Sequence, residues 1–178
     1  FNMEKVLVTG ATGYIGLHCI QQLLDQGYAV NGSVRSPERK DEIYDALKKH
    51  NTPTENLKIF TFNLTEDDGW DEGMEGCDYL MHVASPLALA NHGEEFFVVP
   101  AVSGAKRALK FAKKHNVKKV VLTSSVAAIF ETTVLKEYYD ESDWSDPNKD
   151  TINHYAKSKT LAEMAAWDFV KEENNPFE

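Results

Sequence analysis

The sequence predicts an α/β fold in which a doubly wound parallel sheet is covered by helices on both faces. Three observations predict it: short apolar segments alternate with amphipathic segments, a glycine-rich turn follows the first apolar segment, and consecutive hydroxyl side chains follow the fifth. Strands of such a sheet are buried on both faces and are therefore apolar throughout, with helices connecting them. Ligands bind at the carboxyl ends of these strands, where we expect the functional residues.

Each predicted element has a local signal in the sequence. Gly27 is placed to end the first helix, Pro37 opens the second, and Pro100 lies near a joint in a segment that is either one long helix or two. Apolar runs predict strands at residues 6–8, 29–34, 57–62, 79–83 and 120–122. Helical patterns cover residues 14–26, 37–50, 94–115 and 153–173. Residues 67–76 form a short acidic, glycine-rich segment without a predicted element, and most of residues 126–148 are expected to be irregular.

Composition limits the classes of partner. The 178 residues carry a formal net charge of −9, which argues against nucleic acid or an anionic membrane as the main partner. No apolar run is long enough to cross a bilayer, and a strand begins almost at once, so neither a membrane span nor a signal peptide is expected. Cys19 and Cys77 form no CxxC pair, and two reduced thiols are typical of a cytoplasmic protein. The histidines show no metal-ligand spacing, so no metal site is expected.

A phosphate-binding turn is predicted directly after the first strand. Gly10, Gly13 and Gly16 give the spacing GxxGxxG. Gly10 permits a tight turn, Gly13 removes a side chain where the backbone would approach a pyrophosphate, and Gly16 lets a helix pack close to the sheet. The free amides and the positive dipole end of the following helix would face the phosphates. Because the pattern lies between a buried strand and an amphipathic helix, we interpret it as a dinucleotide site rather than an ordinary turn.

The residues after the second strand indicate which nicotinamide dinucleotide is bound. A carboxylate at this place would bind the ribose hydroxyls of NAD and repel a 2′-phosphate, but no acid occurs before Glu38. Arg35 can instead bind a phosphate through two parallel hydrogen bonds. Arg39 and Lys40 lie a turn away and are interpreted as a solvated helix face. The predicted cofactor is therefore NADP(H).

A catalytic pair is predicted in the last helix. Tyr155 and Lys159 are four residues apart and share a helix face, where the ammonium would favour the phenolate form of the tyrosine. Lys157 is the competing lysine, and the four-residue spacing together with the upstream glycine turn favours Lys159. The consecutive hydroxyls of residues 123–125 follow the fifth strand. They either bind a substrate carbonyl or cap the strand end, and the residues alone leave both interpretations open.

Seven segments together resemble the extended short-chain dehydrogenase/reductase family, and within it the group of dihydroflavonol 4-reductases, cinnamoyl-CoA reductases and methylglyoxal or aldehyde reductases. The resemblance covers essentially the whole chain. The segments are VTGATGYIG (8–16), SVRSPE (33–38), HVASP (82–86), PAVSGAKRAL (100–109), VVLTSS (120–125), YDESDW (139–144) and YAKSKTLAEMAAW (155–167). The resemblance implies a Rossmann domain over residues 3–178 that binds NADP(H), without the sixth strand and the C-terminal substrate lobe that the family carries.

The resemblance also implies the site residues and the chemistry. Ser125, Tyr155 and Lys159 would be catalytic, with Tyr155 as the general acid when NADPH reduces an aldehyde or ketone. The expected partners are a small-molecule carbonyl substrate and a second copy of the chain in a homodimer. The cofactor-binding residues would be Gly10, Thr12, Gly13, Tyr14, Ile15, Gly16, Arg35, Asn63, Leu64, Val83, Ala84, Ser85, Thr123, Tyr155 and Lys159.

Two departures from the family pattern narrow the expectation. Asn63 stands where the family usually has an aspartate, and its amide oxygen can still accept from an adenine amino group. Residues 126–130 are apolar where flavonoid reductases carry an asparagine, which favours an aldehyde or ketone reductase. The alternatives are a nucleotide-sugar epimerase or dehydratase, or a hydroxysteroid-type dehydrogenase, which Arg35 disfavours. A non-catalytic NADP-sensing module is an alternative of another class.

Overall fold

The computed structural model describes residues 3–87 and 92–177, which form a parallel sheet flanked by helices. The strands in this part of the chain are β1 (Lys5–Thr9), β2 (Ala29–Val34), β3 (Leu57–Thr61), β4 (Tyr79–His82) and β5 (Lys119–Leu122). They lie in the order β3-β2-β1-β4-β5, and every neighbouring pair is parallel. The predicted α/β fold with a doubly wound parallel sheet is confirmed.

Helices cover both faces of the sheet, and β1 shows why. Val6 and Val8 belong to one buried cluster with residues of the first two helices, whereas Leu7 belongs to a second cluster with Trp70 and Phe111. Successive side chains of a strand point to opposite faces, so the sheet has a core on each side. The helices are α1 (Tyr14–Asp25), α2 (Lys40–Lys49), α3 (Trp70–Met74), α4 (Glu94–Lys114) and α5 (His154–Glu172), with 3-10 turns at Pro37–Arg39 and Val126–Ala128.

The helix α3 lies in residues 67–76, the acidic, glycine-rich segment for which the sequence predicts no element. Trp70 is the physical reason for this helix, because its side chain is fully buried and stacks on Phe111 of α4. Its Nε1 also donates to the carbonyl oxygen of Asn63 at 2.8 Å. Met74, one turn later on the same face, is fully buried as well, and burial of this pair orders the short helix.

Residues 94–115, which the sequence predicts to form either one long helix or two, contain the single continuous helix α4, which runs through Pro100. Proline removes a backbone hydrogen bond from a helix. The small side chains of Ala101 and Ala105 pack against Ala162 of α5, and this packing offsets the lost bond. Within the described ranges, no helix is long and apolar enough to span a membrane.

Candidate active site

The turn after β1 is built around glycines whose positions the structure explains. Gly10 has a positive φ of 74°, and a Cβ added to it would come within 3.1 Å of the Ala84 backbone. A Cβ on Gly16 would overlap the carbonyl oxygen of Gly10, so α1 can start this close to β1 only without a side chain there. The Gly10 amide also donates to Ser33 Oγ of β2 at 3.3 Å. The turn therefore joins β1 to β2 and to the residues after β4.

The N-terminus of α1 is open to solvent at Gly13. Gly13 caps the helix in an extended conformation, without a side-chain acceptor, and the first turn contains no acidic residue. A Cβ added there would meet only the Gly10 carbonyl oxygen, at 3.3 Å. Thr12 is half-buried before it, and the side chains of Tyr14 and Ile15 after it are exposed. The first amides of a helix have no acceptor within it, so this end fits an anion such as a pyrophosphate.

A buried hydrogen-bonded pair joins the ends of β1 and β4. Thr9 and His82 are paired in register, and Thr9 Oγ1 lies 2.9 Å from His82 Nδ1. The same oxygen accepts the amides of Val83 and Ala84, at 3.1 Å each. With both acceptor positions used, the hydroxyl proton goes to Nδ1, so His82 is neutral with its own proton on Nε2. Burial lowers the pKa of His82 to about 4, and the charge of Lys159 acts in the same direction.

Three predicted cofactor residues follow β4 beside the glycine turn. Val83 and Ala84 are half-buried, and Thr9 fixes their backbone. Ser85 Oγ is buried and has no hydrogen-bond partner among the described residues. Because buried hydroxyls are normally satisfied, Ser85 marks a place where a bound molecule can supply the partner.

Arg35 directly follows β2 and is exposed. Its guanidinium makes no hydrogen bond or ion pair to any residue that the structure describes. Arg39 differs, since it binds the Glu42 carboxylate through two hydrogen bonds of 2.8 and 2.9 Å, and both side chains are largely exposed. This pairing agrees with a solvated helix face for Arg39 and leaves Arg35 as the guanidinium available to a phosphate.

The residues after β3 form an ordered loop. Asn63 Oδ1 accepts the amide of Thr65 at 3.3 Å, and the side chain of Leu64 lies against Gly104 of α4. Both Asn63 and Leu64 are half-buried. In the described ranges, no group of three or more His, Cys, Asp or Glu side chains is arranged to hold a metal ion.

The helix α5 places Tyr155 and Lys159 near the carboxyl end of β5. Asn153 caps this helix and accepts the Ala156 amide on Oδ1 at 2.8 Å. Lys159 is only 5% exposed, and its Nζ donates to the carbonyl oxygen of Thr123 at 2.7 Å. Burial lowers the pKa of Lys159. Tyr155 is half-buried one turn earlier on the same helix face, so neither the phenol nor the ammonium belongs to a fully exposed side chain.

The two serines after Thr123 have separate partners. Ser124 Oγ donates to the carboxylate of Glu163, a residue of α5 that the sequence pattern did not single out. Ser125 Oγ accepts the amide of Ala127 at 3.1 Å and thereby caps the 3-10 turn. A hydroxyl that accepts a hydrogen bond still has its own proton to donate. Capping and substrate binding, the two interpretations left open by the sequence, are therefore compatible at Ser125.

The parallel sheet and its glycine turn define the class of protein, an α/β domain with a Rossmann-like fold. The chain belongs to the NAD dependent epimerase/dehydratase family, which matches residues 6–177. It is 36% identical to the bifunctional dihydroflavonol 4-reductase/flavanone 4-reductase of Pyrus communis, over 98% of this chain and 52% of that protein. It is 37% identical to cinnamoyl-CoA reductase 1 of Petunia hybrida, over 95% of this chain and 50% of that protein. The predicted family resemblance is confirmed, and the chain spans about half the length of the curated relatives it matches.

Solved structures of reductases also match this chain in fold. Yeast methylglyoxal/isovaleraldehyde reductase complexed with NADPH matches with a TM-score of 0.83 and 31% identity, over 97% of this chain and 54% of that one. Vestitone reductase from alfalfa matches with a TM-score of 0.78 and 32% identity, over 96% of this chain and 53% of that one. Both are named reductases, and the fold they share with this chain is the one predicted.

Proposed function

We propose that the protein to which this chain belongs is an NADPH-dependent reductase of aldehydes or ketones. The observation that carries the proposal concerns Lys159, which lies one turn after Tyr155 in α5. Its side chain is buried, and its Nζ donates to the carbonyl oxygen of Thr123 at 2.7 Å. Its charge also helps to lower the pKa of His82, the last residue of β4. The reductase names of the relatives, and the NADPH in the yeast structure, support the same activity.

The residues at the strand ends fit NADP(H). The amides at the start of α1 would hold the pyrophosphate, and Arg35 would bind the 2′-phosphate. Asn63 and Leu64 would contact the adenine. The unpartnered hydroxyl of Ser85 is suited to bind the nicotinamide end, with Val83, Ala84 and Thr123 beside it. When bound, the cofactor supplies the hydride.

Tyr155 and Ser125 would act on the carbonyl oxygen of the substrate. Tyr155 donates its phenolic proton to that oxygen, and Ser125 donates a hydrogen bond to it. The ammonium of Lys159 stabilises the phenolate that remains on Tyr155. One of its three N–H groups is used on Thr123, and the others are left for the phenol and for a ribose hydroxyl of the cofactor.

The substrate is proposed to carry an apolar group next to its carbonyl. Val126 and Phe130 expose apolar side chains directly after Ser125, while Ala127 and Ala128 between them are buried. Such a surface suits an aldehyde or ketone better than a charged sugar nucleotide. The homodimer stays a prediction.

Turnover of NADPH by the full-length protein, offered aldehydes, ketones and sugar nucleotides, tests the proposal. Tyr155→Phe should lower kcat on the order of a hundredfold or more, with little change in the Kd for NADPH. Tyr138→Phe is the matched control, because it removes an exposed phenol and should leave kcat unchanged. Tight NADPH binding without turnover of any substrate would refute a reductase and support the sensing module.

A further inference from the structure

Arg107 of α4 makes two short hydrogen bonds to the loop after β3. Its Nη1 donates to the carbonyl oxygen of Leu64 at 2.5 Å, and its Nε donates to Asp67 Oδ1 at 2.6 Å. The Arg107 side chain is 18% exposed and its bond to Leu64 is partly buried, whereas its bond to Asp67 is exposed to solvent. Ser103, one turn earlier, donates to the same Leu64 oxygen at 3.4 Å. The planar guanidinium spans backbone and carboxylate at once, which an ammonium on a flexible stem does poorly.

Leu64 is also fixed through its side chain. A Cβ added to Gly104 of α4 would come within 3.1 Å of Leu64 Cβ and Cδ2, so the glycine lets the leucine lie directly on the helix. The carbonyl oxygen of Asn63 itself accepts Trp70 Nε1 at 2.8 Å. Two successive backbone carbonyls, those of Asn63 and Leu64, are therefore held, and the amide oxygen of the Asn63 side chain keeps one acceptor position beyond the bond to Thr65.

We propose that Arg107 is a positioning residue for the adenine end of the dinucleotide. It holds the Leu64 carbonyl, and thereby the orientation of the Asn63 amide that would accept the adenine amino group. The inference rests on the proposed function, since it requires a cofactor with an adenine at this loop. Lys110 provides the contrast: it is 59% exposed and binds Asp67 at 2.9 Å, but the structure shows no hydrogen bond from it to Leu64.

Binding of two dinucleotides to the full-length protein tests the assignment. NADPH carries the adenine amino group, and reduced nicotinamide hypoxanthine dinucleotide phosphate lacks it. Arg107→Ala should raise the Kd for NADPH about tenfold, the upper end of the loss expected for one neutral hydrogen bond between the Asn63 amide and the adenine amino group. The same variant should change the Kd for the hypoxanthine analogue less than about twofold, because the bond that Arg107 positions is missing there. Lys110→Ala should leave both values unchanged.

A second variant and a stability measurement distinguish a positioning role of Arg107 from a role in folding. Arg107→Lys retains the charge but not the fork, and should raise the Kd for NADPH about threefold. Thermal unfolding without cofactor shows whether each variant is folded. An equal rise in Kd for both dinucleotides, or no rise for NADPH in folded Arg107 variants, would overturn the inference about Arg107 but not the proposed function. Failure of the wild-type protein to bind either dinucleotide would refute the proposed function and the inference together.

Discussion

Acid should destabilise this protein through His82. The side chain is 4% exposed and accepts the Thr9 hydroxyl proton on Nδ1, so the folded structure holds it neutral. Burial, aided by the charge of Lys159, lowers the pKa of His82 from 6.5 to about 4. Protonation would remove the acceptor of the Thr9 proton and would place a second positive charge near Lys159.

The sign and size of the effect follow from the folded and unfolded pKa values. Between pH 6.5 and about pH 4 the unfolded chain binds a proton that the folded chain excludes, so the free energy of unfolding falls as the pH falls. Each pH unit inside this window costs about 1.4 kcal/mol, which gives about 3 kcal/mol for the whole window and about 2 kcal/mol by about pH 5. Above the window His82 is neutral in both states and contributes no pH dependence.

Urea unfolding at about pH 7 and about pH 5 measures this loss. His82→Asn is the test variant, because its amide oxygen can accept the Thr9 hydroxyl near the place of Nδ1 and does not titrate. It should lose about 2 kcal/mol less than the wild type between the two pH values. His154→Asn removes an exposed histidine and should behave like the wild type. Equal losses in the wild type and in His82→Asn would refute the reasoning.

Two further predictions concern the cofactor site. Gly13→Ala should leave the free energy of unfolding within about 0.5 kcal/mol of the wild type but raise the Kd for NADPH about tenfold or more. Gly16→Ala should lower the free energy of unfolding by roughly 1–3 kcal/mol, because its methyl group overlaps the Gly10 carbonyl. Thermal unfolding and cofactor titration check both, and equal stability losses would contradict the distinction. Arg35→Ala should raise the Kd for NADPH about tenfold and that for NADH less than twofold, and equal losses would remove the phosphate role of Arg35.

The fold is predictable from local signals because a buried parallel strand is apolar along its whole length. β2 matches its predicted range, and each other strand differs from its prediction by at most one residue at either end. α3 has no such signal. Its five residues are ordered by the burial of Trp70 between Phe62 and Phe111, a contact between segments far apart in sequence. The acidic, glycine-rich composition of the segment does not predict that contact.

The candidate site is predictable to the extent that strand order brings residues together. The order β3-β2-β1-β4-β5 places β1, β4 and β5 side by side, so the segments after these strands must meet whatever their side chains. The supporting contacts do not follow in this way. Thr9 with His82, and Arg107 with Leu64, join residues 73 and 43 positions apart. Each contact depends on strand register and on side-chain rotamers, which the spacing of residues does not encode.

Those supporting contacts share one physical purpose. Thr9 binds the backbone after β4, Lys159 binds the backbone after β5, and Arg107 binds the backbone after β3. The described residues that begin these three loops are thus held by side chains of neighbouring elements, which lowers the conformational entropy that binding would have to remove. Among the described residues, Ser85 Oγ is buried without a partner, and the exposed Arg35 guanidinium makes no hydrogen bond or ion pair. A bound dinucleotide would gain new hydrogen bonds at both side chains.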